Sequence, residues 1–434
     1  LLPGSRPLAM AYAGHQFGNF VPQLGDGRAV LLGELIDSEG KRHDLQLKGA
    51  GRTPFSRGGD GRSALGPVLR EYVVSEAMHA LGIPTTRALA AVTTGEMVYR
   101  EEPLPGAVLA RVASSHIRVG TFQFFAARSN WEAVTRLADY VIDRHYPECR
   151  ESDGPYLELL RTVGRRQAAL IARWMAVGFI HGVMNTDNSS IAGETIDFGP
   201  CAFMDHYDPD KVFSSIDQMG RYAYSRQPGI GQWNLARFAE TLLPLLAADE
   251  DAAIDLATEV LEGFVEQYQA EWLGSMGAKF GLGRPSPADA ELFNDFLGLL
   301  AAGNADFTRS FSALTKALKA DFSTGGLEAE LEAQTKTGTD GDNALDRWVQ
   351  RWQARLQAEG DTEQALKRMG TANPCIIPRN HRVEAVIQAG IEGDFNPFKT
   401  LHESLQNPYE VPEDDSLMEA PEPHERVMQT FCGT

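Results

Sequence analysis

The sequence predicts an α+β fold in which a strand-rich N-terminal half precedes a mainly helical C-terminal half. Three observations support this prediction. Short apolar or alternating runs, separated by glycines, dominate residues 1–119. From residue 120 onward, apolar residues instead recur at spacings of three and four. The chain has 434 residues, 43% of them hydrophobic and 23% charged, so both halves have enough apolar side chains for substantial cores.

Four short segments of the N-terminal half have the character of β-strands. They are residues 28–35, 44–48, 97–100 and 108–112. In the second segment Leu45 and Leu47 share one face of the strand, so Lys48 lies on the other face. A lysine in this setting is suited to pair with phosphate oxygens.

A helix is predicted over residues 67–81. Pro67 suits its first turn, and Gly82 directly after the segment ends it. Either of two glutamates on this helix, Glu71 or Glu76, could neutralise Lys48. Their spacing does not distinguish between them.

Further helices are predicted in the second half at residues 131–146, 163–177, 235–247, 252–272, 287–302 and 345–358. The polar segment 337–343 is predicted to be a linker. The acidic, proline-rich segment 407–423 is predicted to be extended or disordered.

The net charge of −19 argues against partners with a polyanionic surface, since nucleic acid and anionic membranes would be repelled. No run of 18 or more apolar residues predicts a transmembrane helix, and no secretory signal opens the chain. We expect a soluble protein. Because the chain begins with Leu1 instead of Met, we expect that an N-terminal segment precedes it in the whole protein.

Four cysteines are too few and too widely spaced for a disulfide scaffold or a zinc site. They are Cys149, Cys201, Cys375 and Cys432. A reducing compartment is therefore expected.

The segment from His181 to Asn188, followed by Asp197-Phe198-Gly199, matches the spacing of a protein-kinase catalytic segment. In that pattern Asn188 and Asp197 are the magnesium ligands. The position of the catalytic base is occupied by Val183, whose side chain is unable to accept a proton. A further carboxylate, Asp187, lies directly beside Asn188.

The resemblance of this segment to that of protein kinases implies a kinase-like bilobal fold, and we expect three parts. Residues 1–119 would form a strand-rich N-lobe with the nucleotide-binding loop. Residues 120–336 would form a mainly helical C-lobe with the catalytic and metal-binding loops. Residues 337–434 would form a C-terminal helical extension with a cysteine-bearing tail.

Several other residues are candidates for nucleotide contacts. Gly25 and Gly27 would let a backbone approach phosphates, with Arg28 adding charge, although such a glycine pair is more often a hairpin turn. The irregular loop 49–62 contains Asp60-Gly61, where solvent exposure is the commoner explanation. Arg111 and Arg118 fall where the two halves meet and would supply local positive charge.

Four motifs in order resemble the selenoprotein O family. They are residues 12–18 (YAGHQFG), residues 47–57 (LKGAGRTPFSR), residues 181–188 (HGVMNTDN) and residues 197–200 (DFGP). The resemblance implies a kinase-like fold that binds ATP in an orientation inverted relative to kinases. It implies transfer of AMP to Ser, Thr or Tyr hydroxyls of protein substrates, with release of pyrophosphate.

The resemblance also implies a role for each matching residue. Asp187 would accept the proton, while Asn188 and Asp197 would hold Mg²⁺ or Mn²⁺. Lys48, held by Glu71, would bind phosphates. The other implied nucleotide contacts are Gly25, Gly27, Arg28, Asp60, Gly61, Arg111, Arg118 and Asp197. The expected location is the cytoplasm in bacteria and the mitochondrion for eukaryotic relatives.

Family members regulate activity through a disulfide between a C-terminal thiol and one near the catalytic segment. The resemblance implies Cys432 as the first thiol, and Cys201 is the nearest candidate for the second. Two other functions remain open at this stage. One is a kinase that uses Asp187 as its base, and the other is an inactive nucleotide-binding scaffold.

Overall fold

The computed structural model describes residues 6–320, 322, 325 and 341–431, with side chains described from residue 344 in the last range. The strands are β1 Gly14–Gln16, β2 Asn19–Val21, β3 Ala29–Ile36, β4 Arg42–Lys48, β5 Ser63–Ala64, β6 Arg87–Tyr99, β7 Pro103–Ala113, β8 Phe179–Ile180 and β9 Ala202–Phe203. The helices are α1 Leu65–Ala80, α2 Val119–Ala126, α3 Trp131–His145, α4 Pro155–Val177, α5 Gln227–Leu246, α6 Glu250–Lys279, α7 Asp289–Gly303, α8 Phe307–Lys319, α9 Gly341–Glu359, α10 Thr362–Ala372, α11 Asn380–Ile391 and α12 Asn396–Leu405.

The predicted mixture of strands and helices is confirmed, with the larger sheet confined to the N-terminal half. Five antiparallel strands form it in the order β3-β4-β7-β5, with β6 also pairing with β7. The short strands β1 and β2 form a separate hairpin, and β8 pairs with β9. Lys48 ends β4 beside Leu109 of β7, so the lysine lies in the interior of the larger sheet.

The helical half surrounds one large apolar core. Its members include Phe179, Phe203, Phe238 and Phe280, all fully buried. Helix α4 contributes through the apolar stripe seen in the sequence, and Gly178 ends it with a left-handed φ of 71°. Within the described residues, no helix combines the length and apolar character needed to cross a bilayer.

A second, smaller core joins the C-terminal helices to the N-terminal half. Leu65, Leu69 and Val73 of α1 pack with Val383 and Ile387 of α11. The C-terminal extension therefore covers α1, the helix that carries Glu71. The sequence did not predict that the C-terminal helices pack against the N-terminal half.

The predicted elements are recovered, most of them with longer bounds, although α3 ends one residue before the predicted 131–146. Helix α1 begins two residues before the predicted segment, and β6 extends ten residues before the predicted 97–100. Segment 407–423, predicted to be extended or disordered, instead contains turns and a short 3-10 helix at Asp415–Met418, and Leu417 within it is buried against the smaller core. Residues 337–340 of the predicted linker lie outside the described residues, and residues 341–343 belong to α9.

Candidate active site

A cavity of about 410 Å³ brings the predicted site residues together. Its walls come from the segment before β3, the ends of β4 and β7, the loop 55–62 and the segment 183–197. Every predicted site residue except Glu71 lines it, namely Gly25, Gly27, Arg28, Lys48, Asp60, Gly61, Arg111, Arg118, Asp187, Asn188 and Asp197. Its volume lies within the range of small-molecule sites.

Glu71 lies behind the cavity and holds two of its cations. Lys48 Nζ donates to Glu71 Oε2 at 2.5 Å, and Arg111 Nη1 donates to Glu71 Oε1 at 3.1 Å. Burial alone would raise the pKa of Glu71, but these two cations hold the pKa below its usual value. The structure thereby distinguishes Glu71 from Glu76, which binds Arg87 at 2.7 Å instead.

Lys48 also contacts the aspartate of the Asp197-Phe198-Gly199 motif. Its Nζ lies 3.2 Å from Asp197 Oδ1. Burial would raise the pKa of Asp197, but Lys48, Arg28 and Arg118 together hold the pKa well below its usual range. Asp197 has a left-handed φ of 69°, a conformation that is uncommon for non-glycine residues and that clusters at active sites.

Asp187 lies in the cavity with one carboxylate oxygen uncommitted. Oδ2 accepts a long hydrogen bond from Gln16 Nε2 at 3.4 Å, while Oδ1 is buried without a hydrogen-bond partner among the described residues. Burial raises the pKa of Asp187 to about 6, against the opposing charge of Arg118. A carboxylate whose pKa lies near neutrality is well matched to general-base catalysis.

Two glycines allow close packing around the loop 181–188, which contains Asp187. A Cβ on Gly14 would lie 2.3 Å from Asp187 Oδ1, and a Cβ on Gly120 would lie 2.2 Å from the Ala13 carbonyl oxygen. Arg118 Nη1 donates to the carbonyl oxygen of Asp187 at 2.7 Å. The backbone and the carboxylate of Asp187 are thus both fixed by residues that are distant in sequence.

The hairpin of β1 and β2 binds three successive residues of the loop 181–188. Phe17 N donates to Asn185 Oδ1 at 3.0 Å, and His15 N donates to Thr186 Oγ1 at 2.7 Å. The third contact is the one between Gln16 and Asp187 described above. This hairpin comes from the motif at residues 12–18, to which the sequence assigned no role.

Asn188 and Asp197 provide oxygen ligands of the kind that Mg²⁺ and Mn²⁺ prefer. The Asn188 amide nitrogen donates to the Val183 carbonyl oxygen at 3.1 Å, which leaves the amide oxygen available. No group of three or more His, Cys, Asp or Glu side chains that could hold a metal occurs in the described part of the chain. The donor set fits a magnesium ion that takes its remaining ligands from phosphates and water.

The glycine-rich segment before β3 is held against the loop 53–62. A Cβ on Gly25 would lie 2.4 Å from the Phe55 ring, and one on Gly27 would lie 3.0 Å from the Phe55 carbonyl oxygen. Gly25 has a φ of 121°, which also requires glycine. The two glycines serve this close packing, and both still line the cavity.

Asp60 and Gly61 shape the opposite wall. The Asp60 carboxylate binds Arg100 through two contacts of 3.0 and 3.1 Å and accepts from Arg62 N at 2.9 Å. Gly61 has a φ of 69°, and a Cβ there would lie 2.1 Å from the Gly51 carbonyl oxygen. The hydrogen bonds to Arg100 hold the pKa of Asp60 at about 2.

Sequence reasoning missed several residues that line the cavity. They are Tyr12, Gln16, Phe17, Phe55, Ser56, Arg57, Arg62, Arg100, Asn185 and Ile216. It also missed the buried Gln46, which accepts from Arg111 and donates to Asp26 Oδ2 at 3.0 Å. Tyr12, Gln16 and Phe17 belong to the motif at residues 12–18, and that motif was the signal that could have identified them.

The predicted disulfide stays a prediction. Cys432 lies outside the described residues, and Cys201 is a buried free thiol whose pKa burial raises to about 12. Thr430 Oγ1 donates to the Pro200 carbonyl oxygen at 2.5 Å, and Thr430 N donates to the Phe213 carbonyl oxygen at 2.7 Å. The C-terminal segment therefore reaches the residue that precedes Cys201.

Comparison with known proteins identifies a family and close relatives. A family model described as protein adenylyltransferase SelO matches residues 2–406. The protein nucleotidyltransferase YdiU of Rhizobium etli strain CIAT 652 is 59% identical over 438 residues, covering 99% of this chain and 85% of that protein.

Relatives from other genera show the same similarity. YdiU of Rhodopseudomonas palustris strain BisB5 is 60% identical over 436 residues, covering 99% of this chain and 87% of that protein. YdiU of Agrobacterium fabrum strain C58 is 57% identical over 434 residues, with the same coverage of 99% and 87%. All three are named as protein nucleotidyltransferases.

Proposed function

This chain belongs to the SelO family of nucleotidyltransferases, and from that premise we propose that it transfers AMP from ATP to Ser, Thr or Tyr hydroxyls of protein substrates. Pyrophosphate is the second product. The observation that carries the proposal is the pairing of an apolar Val183 at the kinase base position with an uncommitted Asp187 carboxylate in the cavity.

The charge distribution in the cavity supports a nucleotide with its phosphates inward. The side chains of Arg111 and Arg118 are only 3% and 6% exposed, and that of Lys48 is 13% exposed. A triphosphate entering the buried end would add anionic partners to these cations beside Glu71 and Asp197, whereas an uncharged base placed there would offer them no ionic contact. The nucleoside then occupies the exposed end, near Arg57 and Ile216.

In this orientation the α-phosphate lies beside the catalytic loop. The acceptor hydroxyl attacks the α-phosphorus while its proton passes to Asp187. The bond between the α-phosphorus and the bridging oxygen breaks, and Lys48, Arg111 and Arg118 neutralise the charge of the departing pyrophosphate. A divalent cation held by Asn188 and Asp197 supplies electrostatic stabilisation of the phosphate oxygens when bound.

We also propose that the two halves form a bilobal fold like that of protein kinases. Lys48 on β4 and Glu71 on α1 reproduce the ion pair between a strand lysine and a helix glutamate that kinases use. The segment 181–199 reproduces the order of the kinase metal ligands.

The test is incubation with Mg²⁺ or Mn²⁺ and, in parallel, ATP labelled in the α- or the γ-phosphate, with casein as acceptor. The proposal predicts protein-bound label from the α-phosphate only, and its loss in Asp197→Ala. Label from the γ-phosphate would mean a kinase. No label from either phosphate would favour a binding scaffold.

A further inference from the structure

Arg57 lines the exposed end of the cavity from a turn that its residue type does not favour. Gly59 N donates to the Ser56 carbonyl oxygen at 2.7 Å, which closes a four-residue turn. Its central residues, Arg57 and Gly58, have φ values of 48° and 86°. Two positive φ values are the pattern of a type I′ turn, where Asn and Gly are preferred and a long side chain is costly.

The turn is fixed against the glycine-rich segment. Thr53 Oγ1 donates to the Asp26 carbonyl oxygen at 2.6 Å, and Ser56 Oγ donates to the Gly27 carbonyl oxygen at 2.5 Å. These bonds hold Arg57 at the cavity although its backbone conformation is unfavourable. A residue that breaks a local preference in a well-anchored loop points to a functional requirement for its side chain.

The other arginines of this wall are already engaged. Arg62 forms an ion pair with Glu96, and Arg100 contacts Asp60 Oδ2 at 3.0 Å. The side chain of Arg57 is exposed, and in the described ranges no carboxylate lies within ion-pair distance of it. Its guanidinium is therefore available to a ligand.

We propose that Arg57 is a nucleotide-binding residue whose guanidinium packs on the face of the purine base at the exposed end of the cavity. The inference rests on the proposed function, because that function assigns the nucleoside to this end. Lys48, Arg111 and Arg118 already serve the phosphates. A planar guanidinium is well suited to stack on an aromatic base.

The test measures binding alone, by isothermal titration calorimetry with magnesium. The probes are α,β-methylene-ATP, which has no cleavable bond between the α- and β-phosphates, and inorganic tripolyphosphate. We expect Arg57→Gln to weaken binding of the ATP analogue by about 3- to 30-fold, the range for a cation on an aromatic face. Binding of tripolyphosphate should change by less than twofold.

Two further variants test whether the effect of Arg57→Gln comes from a changed loop conformation instead of the lost guanidinium. Arg57→Gly removes the unfavourable conformation, so its thermal midpoint should not fall while its affinity for the analogue falls as in Arg57→Gln. Arg52→Gln is the matched control, because Arg52 is an exposed arginine of the same loop that does not line the cavity. It should bind both probes like the unmodified protein.

Three results would overturn the inference. They are unchanged analogue binding in Arg57→Gln, an equal loss of tripolyphosphate binding, or no analogue binding by the unmodified protein. A protein that binds the analogue through Arg57 but transfers no AMP would instead contradict the proposed function alone.

Discussion

At the scale of single residues, the proposed chemistry depends on Asp187. Its Oδ1 has no partner among the described residues, and its pKa is raised to about 6 by burial. Both features suit a group that takes up a proton from an incoming hydroxyl. Val183 keeps the position of the kinase base apolar, so Asp187 is the carboxylate of the loop 181–188 that is able to serve.

Replacing Asp187 by Asn should lower the rate of AMP transfer by about 10²- to 10⁴-fold, because the amide does not accept the proton. The measurement is the initial rate of label transfer from α-labelled ATP. Binding of α,β-methylene-ATP should remain, since the buried cations are unchanged. Asp210→Asn, an exposed aspartate outside the cavity, is the control and should keep the full rate. A normal rate in Asp187→Asn would show that another group accepts the proton.

Gly14→Ala should act on the same carboxylate from outside the loop. The added Cβ would lie 2.3 Å from Asp187 Oδ1, so the carboxylate must move. We expect a loss of roughly 1–3 kcal/mol in stability from the added crowding. The turnover number should also fall steeply.

The matched control for this prediction is Gly229→Ala on α5, where a Cβ would meet no heavy atom within 4 Å. It should leave the turnover number unchanged and should not lower the unfolding free energy, which alanine in place of a helical glycine raises by up to about 1 kcal/mol. Full activity in Gly14→Ala would mean that the carboxylate has room to move without consequence.

At the scale of elements, periodicity predicted those helices whose apolar stripe is long. Helix α4 and helix α6 were both recognised and then found to be longer. Helices α2, α8 and α10 to α12 were missed, since each has at most 13 residues and few turns to establish a period. The first part of β6 was missed because its exposed positions do not alternate with buried ones.

The candidate site was predictable where a motif carries the chemistry. The contacts between elements that complete the site were not predictable from the sequence. Gln16 reaches Asp187 across 171 residues of sequence, and no local pattern encodes such a contact. The choice of Glu71 over Glu76 likewise needed the orientation of α1 relative to β4.

The C-terminal helix α11 is tied to the helical half by one buried arginine at its N-terminus. Arg379 Nη1 lies 2.5 Å from Asp205 Oδ1 and 2.8 Å from Asp306 Oδ2. Arg379→Met would leave the buried carboxylate of Asp306 and the partly buried one of Asp205 without their cation, at a cost of about 3–5 kcal/mol. Urea unfolding measures this loss.

The matched control is Arg136→Met, an exposed arginine of α3, which should change the unfolding free energy by less than about 0.5 kcal/mol. A similarly small change in Arg379→Met would contradict the view that this cluster fastens α11.

At the scale of the whole molecule, an acidic chain concentrates its cations where the nucleotide would bind. The net charge is −19, yet the cavity is lined by Arg28, Lys48, Arg111 and Arg118. Such a local positive field attracts a polyphosphate without making the surface as a whole attractive to nucleic acid.

One buried cation of the helical core makes the stability of the molecule depend on pH. Lys279 is fully buried, with Nζ 4.1 Å from the centre of the Phe311 ring and 3.3 Å from the Ala372 carbonyl oxygen. Burial lowers its pKa to about 7. The Lys279 amine therefore binds its proton more tightly in the unfolded chain than in the folded one. The resulting loss of folding stability is full below pH 7 and declines as pH rises toward the ordinary lysine pKa.

Lys279→Met should accordingly be more stable than the unmodified protein at pH 6–7, by a few kcal/mol at about 1.4 kcal/mol per pKa unit. The difference should shrink as pH approaches 10. The measurement is the free energy of urea unfolding across this range, with Lys316→Met, an exposed lysine of α8, as the control. A stability difference between Lys279→Met and the unmodified protein that does not vary with pH would contradict the lowered pKa of Lys279.

The identity of the leaving product tests the central claim most directly. Unlabelled ATP is incubated with the protein, Mg²⁺ or Mn²⁺ and casein, and the small products are separated by anion exchange. The account predicts one pyrophosphate for each AMP bound to protein, and both products formed about 10²- to 10⁴-fold more slowly in Asp187→Asn. Formation of ADP with phosphate on the protein would contradict it, because the γ-phosphate would then be the group transferred.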